Sequence, residues 1–156
     1  MITLLALAGG FIFFQFVGYF IHKLFHHPIS GRVYRSHKSH HWDLYPPGDF
    51  YSELYREPPW YDRPLLYYTP FIVGFTFLLY YILPLHLTAA LLVELVLVAW
   101  LNDKIHEHFH LKHTWMGKFK IFRRWRDWHF KHHIDDSKNF SIFWYLPDRL
   151  FGSMLD

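Results

Sequence analysis

Every one of the 16 lysines and arginines in this 156-residue chain lies in one of two blocks, 22–64 or 102–156. Six fall in the first block and ten in the second; none precedes Lys23, and none lies between Pro64 and Asp103. The apolar runs that alternate with these blocks have membrane length. Ile2 to Ile21 contains no charged residue, and its 20 residues at ~1.5 Å each reach about 30 Å, one bilayer core. Two further apolar runs, 65–83 and 85–101, are separated by Pro84, which reads as the break in a tight helical hairpin. Three spans, at about 2–21, 65–83 and 85–101, put both charged blocks on one side. The positive-inside rule makes that side cytoplasmic and leaves the N-terminus outside. The first run has no basic residues ahead of it, so it reads as an anchor and not as a cleaved signal peptide.

A mean hydropathy of +0.01 therefore averages two unlike kinds of segment. Aromatic residues at 22% exclude a disordered chain. The absence of cysteine excludes disulfides, zinc ribbons, iron–sulfur clusters and thiol nucleophiles. The net charge of +3 is read as flanking charge facing lipid head groups, since no nucleic-acid-binding pattern is present. No hydrolase triad motif, P-loop or dinucleotide fingerprint is present either.

Histidine is the abundant polar residue, at 14 positions, and only His86 lies on the far side of the membrane. The other histidines form four clusters: His22, His26 and His27; His37, His40 and His41; His106, His108, His110 and His113; and His129, His132 and His133. On a helix, positions i, i+3 and i+4 share a face. The spacing predicts that His37/His40/His41 and His129/His132/His133 each present three imidazoles to one point. His106/His110 present two. His22/His26 present two in an unbroken helix, with His27 as the alternate partner if the helix changes pitch before Pro28. Ten nitrogen ligands are too many for one ion and suit two. Imidazole alone does not choose between zinc, copper, iron and nickel. A structural or adventitious role suits one isolated histidine pair, but not two H-x2-HH triplets on one side of a membrane. His108 and His113 are left over, as surface groups or as groups that support a ligand from behind.

In this arrangement the chain resembles the membrane fatty acid hydroxylase/sterol desaturase superfamily. The motifs are HKLFHH, HKSHH, an H-x3-H and HFKHH, and the likeness runs from about His22 to Gly152. HHIDDSKNF followed by PDRLFGS is similar to the family's closing motifs, with Ser141 at a glycine position and Pro147 at a tryptophan position. NDKIHEHFH and HHWDLYPP are most similar to fatty acid 2-hydroxylases. The resemblance implies a di-iron centre, with zinc able to occupy it in purified forms, that uses O2 to oxidise a lipid C–H bond. It implies His22 and His27 as the first pair, where helix geometry prefers His26; both stay open. It also implies electrons from a separate donor of cytochrome b5, ferredoxin or rubredoxin type, because no such domain is fused here. Members commonly have four or more spans, so with three an oligomer would complete the wall around the substrate.

The expected fold is an all-α membrane protein, one integral-membrane domain over 1–156, with a cytoplasmic histidine-rich helical cap holding a dinuclear site. The metal ligands are then His22, His27 (or His26), His37, His40, His41, His106, His110, His129, His132 and His133. Asp103, one turn before His106, is expected to accept the other imidazole N–H and fix the ring. Glu94, deep in the third span, either pairs with Gln15 or a tyrosine or lines the substrate channel. Glu107 and Asp127 read as exposed charges. Gly9, Gly10 and Gly18 allow close helix approach or are ordinary membrane-helix glycines. Trp42, Tyr45, Trp60, Tyr61, Tyr67 and Tyr68 are expected in an interfacial aromatic belt, and Pro46 to Pro64 in an ordered loop over the site. Lys118 to His133 is expected to form a helix at the membrane interface. The predicted activity is lipid hydroxylation. A desaturase or a sterol or carotenoid oxidase shares the same centre, and a membrane metal transporter is the non-enzymatic alternative.

Overall fold

The computed structural model describes residues 2–56 and 64–156. Trp60 and Tyr61, with the end of the Pro46–Pro64 loop, lie outside them. The regular elements among the described residues are all helical, and none of these residues forms a strand. The helices are α1 (Ile2–Phe25), α2 (Arg32–Ser39), α3 (Pro64–Ile82), α4 (Leu85–Phe109), α5 (Lys120–Ile134) and α6 (Leu146–Phe151). Short 3-10 turns cover Pro28–Ser30 and Trp115–Lys118, and a π-helical turn covers His40–Leu44.

Among the described residues two helices are long and apolar enough to cross a membrane, Thr3–Phe25 and Leu85–Phe109. The apolar part of α3, Leu66–Ile82, is shorter. Pro84 caps α4 as the charge-free run predicts, and the α3–α4 hairpin is tied where Thr88 Oγ1 donates to the Leu79 carbonyl at 3.3 Å. α4 packs against both α1 and α3. Phe14, Leu95 and Val98 are buried between them, with Phe71 and Phe75 of α3 alongside. Gly10 permits the α1–α4 approach: a Cβ there would stand 2.4 Å from Glu94 Oε2 and 2.7 Å from Leu91 Cδ2. Large apolar side chains point away from this core. Leu4, Val73, Phe77 and Leu85 are each more than 60% exposed, as lipid-facing positions would be.

α1 and α4 both run past their apolar cores. α1 continues through His22 to Phe25, and α4 through His106 to Phe109, so the membrane helices themselves carry histidines into the cap. α5 is more enclosed than an interfacial helix. It buries Phe122, Trp128, His129, Phe130, His132 and His133, and Phe109, Phe122 and Phe130 form a second apolar core under the cap.

The last segment, 139–156, straps this cap to α1. Asn139 takes a left-handed φ of 52°, a conformation asparagine tolerates better than most residues. Its amide donates to the Trp128 and Leu155 carbonyls at 3.0 and 2.9 Å, and its oxygen accepts from Leu155 N at 2.8 Å. Asp148 is fully buried and accepts from Phe140 N, Ser141 N and Ser153 Oγ at 2.8, 2.9 and 2.7 Å. Ser153 Oγ in turn meets the hydroxyl of Tyr19 on α1 at 3.0 Å. Replacing Asp148 with alanine strands three donors at once. The expected loss is about 3 kcal/mol or more, read as a lowered melting temperature in detergent.

Candidate metal centre

The ten histidines divide into two groups of five. The first is His22, His26, His37, His41 and His132; the second is His40, His106, His110, His129 and His133. Within each group the ligand nitrogens all lie within 4.8 Å of one another. Each group contains two i,i+4 pairs and one histidine from the helix that mainly serves the other group. Thus the first takes 22/26, 37/41 and His132, while the second takes 106/110, 129/133 and His40.

This corrects the expectation that each H-x2-HH triplet converges on one point. Positions i+3 and i+4 are about 100° apart around a helix. When i and i+4 aim at one centre, the i+3 ring swings toward its neighbour. In the first triplet the π-helical turn widens the pitch just after His40, with Tyr45 N bonded back to the His40 carbonyl at 3.0 Å. His41 then stacks on His133 of the other group, with ring centroids 4.0 Å apart and planes 18° apart, so the two groups adjoin.

The structure also departs from the family-implied pair of His22 and His27. α1 stays regular to Phe25, so His26 lies one turn from His22 and enters the group. His27 falls beyond the helix end, exposed, where its Nδ1 accepts from Ile29 N and caps the following 3-10 turn.

The donor set fits metal. Closest Nε2–Nε2 separations are 2.8 Å for His26–His37, 3.0 Å for His22–His37 and for His26–His132, and 3.1 Å for His37–His41, His110–His129 and His129–His133. At a metal–nitrogen bond of about 2.1 Å, ligands at right angles stand about 3.0 Å apart and ligands at the tetrahedral angle about 3.4 Å. The observed spacing matches the former, the geometry of an ion with more than four ligands.

The outer nitrogens set the tautomers. His110 Nδ1 donates to the Phe50 carbonyl and His133 Nδ1 to the Tyr45 carbonyl, both at 3.0 Å. His132 Nδ1 donates to the Lys138 carbonyl and His22 Nδ1 to the Phe140 carbonyl. A proton held at Nδ1 leaves the Nε2 lone pair facing inward. Buried His40 Nε2 and His129 Nδ1 have no hydrogen-bond partner.

Burial keeps these rings neutral. It pushes His37, His40, His41, His110, His129 and His132 well below the ordinary imidazole range. Burial and then the neighbouring His22 lower His26 to about 2. Burial lowers His133 to about 4, against the opposing effect of its bond to the Tyr45 carbonyl. Inward lone pairs at such spacing, fixed for the four rings held by carbonyls, repel one another, and a cation relieves that repulsion.

A cavity of about 70 Å³ reaches both groups, touching His22 and His37 of the first and His40 and His106 of the second. Its apolar wall includes Phe25, Val33, Phe140 and Ile142. A separate, more polar cavity of about 290 Å³ adjoins His26 and His41 alone, beside Lys38, Trp42 and Asp136.

Asp103 lines the first cavity together with His106. Glu94 is not among its lining residues. The Glu94 carboxylate is directed at Gly10 across the α1–α4 contact, and its Oε2 has no hydrogen-bond partner, so neither the pairing with Gln15 nor the channel position expected for it is found. Glu107 pairs with Lys104 at 2.6 Å, and Asp127 is exposed. His108 bonds Thr114 and exposed His113 faces Glu53, both outside the two groups.

Three residues expected in an aromatic belt belong to the site instead. Tyr67 and Tyr68 line the first cavity. Tyr45 is fully buried, stacks on His110 with centroids 3.9 Å apart, and receives the His133 proton on its carbonyl. Its hydroxyl accepts from Arg56 N at 2.6 Å. Arg56 also binds the Leu44 carbonyl and Asp49, so the described part of the 46–64 loop lies over the second group. Ser52 adds a bridge to this loop, with its N donating to the His110 carbonyl at 2.9 Å. Nothing in the sequence separates Tyr45 from the other tyrosines. Asp148 and Asn139 lie within motifs of the family resemblance, but only the structure assigns them a task.

These features define an integral membrane protein whose helices end in a buried, metal-competent cluster of histidines. The family model for fatty acid hydroxylase matches residues 7–153, and the chain belongs to that family. No curated protein matches, and no solved structure matches.

Proposed function

We propose that the protein is a di-iron membrane hydroxylase that inserts oxygen into a C–H bond of an acyl chain or related lipid. The observation that carries this reading is the cavity that touches both five-histidine groups at once. Two irons, if held there, would supply the oxidising power of O2 for C–H hydroxylation, with two electrons from a separate donor and two protons from water accounting for the second oxygen atom, which leaves as water.

The chain's own residues do the rest. The first group would hold one iron and the second the other. Carbonyls of Phe140, Lys138, Tyr45 and Phe50 keep four rings oriented. Phe25, Val33, Phe140 and Ile142 give a lipid chain an apolar wall and exclude water beside the histidines. Asp103, at the same wall, would orient His106. The second cavity gives water-borne species a route to His26 and His41 that does not cross the lipid side.

The ends of α1 and α4 meet in one cluster, and the α3–α4 hairpin returns the start of α3 to that side. Together with the charge layout this supports three crossings, one integral-membrane domain and a cytoplasmic cap.

The test is iron-reconstituted protein in lipid nanodiscs with a reductase system and isotopically labelled dioxygen. The expected product is a lipid alcohol carrying the label, absent with His40→Ala. An alkene in its place would move the assignment to desaturation. Label incorporation that is unchanged in His40→Ala would overturn the reading.

A further inference from the structure

Ile121, Trp125, Trp128 and His132 fall on one face of α5 at helical spacing. Three of them rest on the strap. Trp125 meets Phe143 with ring centroids 5.8 Å apart, Trp128 meets Tyr145 at 4.7 Å, and His132 donates to the Lys138 carbonyl. The strap in turn lies along the apolar run of α1. Phe143 and Trp144 both reach Phe11, at 6.2 and 6.0 Å. Phe11 precedes His22 along α1 by about 16 Å, on the membrane side. This face of α5 therefore looks toward the bilayer. The opposite face looks away from it: Arg126 covers Tyr51 and Phe130 stacks on Phe50, both in the loop over the second group.

The bilayer face is not fully covered by protein. Ile121, one turn before Trp125, is 52% exposed. α6 lays Phe151 against Tyr19 and Phe20 of α1, at 5.3 and 5.1 Å, and leaves Leu150 62% and Phe151 51% exposed. Such side chains, open at that depth, belong among acyl chains. Two cations border them, Arg124 three positions after Ile121 and Arg149 just before Leu150. They come from different helices and converge on Trp128, with guanidinium carbons 4.6 and 5.8 Å from one ring centroid. Among the described residues no carboxylate lies within ion-pair distance of Arg124, the exposed Asp127 three positions on included. Arg149 has exposed Asp156, at 3.5 Å. Two like charges gathered on one indole with so little counter-charge repel each other unless an anion joins them.

We infer that the membrane leaflet on the side of the cap supplies this anion: Arg124 and Arg149 bind the phosphate of an anionic phospholipid, whose acyl chains lie on Ile121, Leu150 and Phe151. Guanidinium forks match phosphate oxygens in pairs, and the Trp128 ring steadies both by cation–π attraction. A zwitterionic head group suits the site less, because its own cation offsets the phosphate. The bound lipid fixes the start of α5 and α6 at one depth, and so holds the helix that carries His129, His132 and His133 against the membrane helices.

Two measurements test this on the zinc-loaded full-length protein. In the first, phosphatidylglycerol and phosphatidylcholine of equal chain length compete for the protein in detergent, and native mass spectrometry counts the lipids retained. The wild type is expected to prefer the glycerol lipid. Arg124→Gln and Arg149→Gln should each lower that preference about 5-fold, and the double variant about 30-fold, the worth of one and two cations at an anionic surface. Lysine at both positions should keep most of it, which a loss of folding would not. A preference unchanged in the double variant would overturn the inference. So would displacement of the lipid by glycerol phosphate, which has the head group without acyl chains. The second measurement uses the absence of native cysteine. A nitroxide label on Ile121→Cys in nanodiscs is expected to be relaxed by dissolved oxygen more than by water-soluble chromium oxalate, with the reverse for Glu53→Cys in the exposed loop. Equal water access at the two positions would overturn the inference, as would follow if an acidic protein docked here in place of lipid. Neither measurement reads iron or O2, so a failed hydroxylation leaves this site standing, and a lost lipid preference leaves the oxygenase reading untouched.

Discussion

Protein purified with iron or zinc supplied is expected to carry about two ions per chain, one for each five-histidine group, and to lose them separately. His132→Ala removes a ligand from the first group and His40→Ala one from the second. Each single variant should retain about one ion, and the double variant none. Adjusting a partner of a ligand already costs about 10- to 100-fold in affinity, so deleting a ligand should cost at least that. The two losses should differ in rate in the wild-type protein. The second group is buried at all five positions, whereas the first includes partly exposed His26 and His37 and adjoins the polar cavity. A chelator should therefore strip about half the metal in a fast phase and the rest slowly. His132→Ala should abolish the fast phase and His40→Ala the slow one. Metal analysis after timed chelation reads both. A single ion per chain, or one whose content neither variant changes, would refute the two-group assignment.

The metal-free protein is expected to unfold on mild acidification. Burial lowers the folded-state pKa of the cap histidines, to about 4 for His133, to about 2 for His26, and well below the ordinary imidazole range for several others. In the unfolded chain they titrate near 6.5. Between those values the unfolded state binds more protons than the folded state, so stability falls as pH drops through about 6.5 and is independent of these groups above it. For His133 alone the full loss is about 3 kcal/mol, and seven other cap histidines shift in the same direction for the same reason. All of these shifts act in the same sense, so the metal-free fold loses stability on acidification. Bound metal holds the rings neutral and competes with protons, so loading should move the transition to lower pH. Melting curves from about pH 8 to about pH 5, with and without zinc, measure this. A metal-free protein equally stable at both ends would show that these rings are hydrated.

The parts legible in the sequence are those governed by local spacing. Charge-free runs mark α1, α3 and α4, and Pro84 marks the hairpin, because lipid accepts little else in such segments. The i,i+4 histidine pairs are equally local. His26 follows from the regularity of α1, whereas the family-derived His27 does not, since that spacing crosses the helix end. The division of each triplet between two groups is not legible, because it depends on where α2 opens into its π-helical turn and on which helix lies opposite. Tyr45 has the composition of a belt residue but is drawn inward by His110 and Arg56, partners distant in sequence. Asp148 shapes the site through Phe140, and no spacing rule connects the two. Glu94 illustrates the reverse case: an intramembrane carboxylate invites a functional reading, yet it meets a glycine.

The exchange of one histidine between the groups gives the polypeptide a topological clasp. Each group joins ligands that precede the α3–α4 hairpin to ligands that follow it: His22, His26, His37 and His41 with His132, and His40 with His106, His110, His129 and His133. The first ion captured, in either group, must therefore close a long loop that contains the hairpin, and it bears the entropy of doing so. The second finds its ligands already gathered. When metal meets the chain before it has folded, the first capture should therefore be the slower one, although the two ions still leave the folded protein at separate rates. A nascent chain, likewise, has no complete group until α5 has been made.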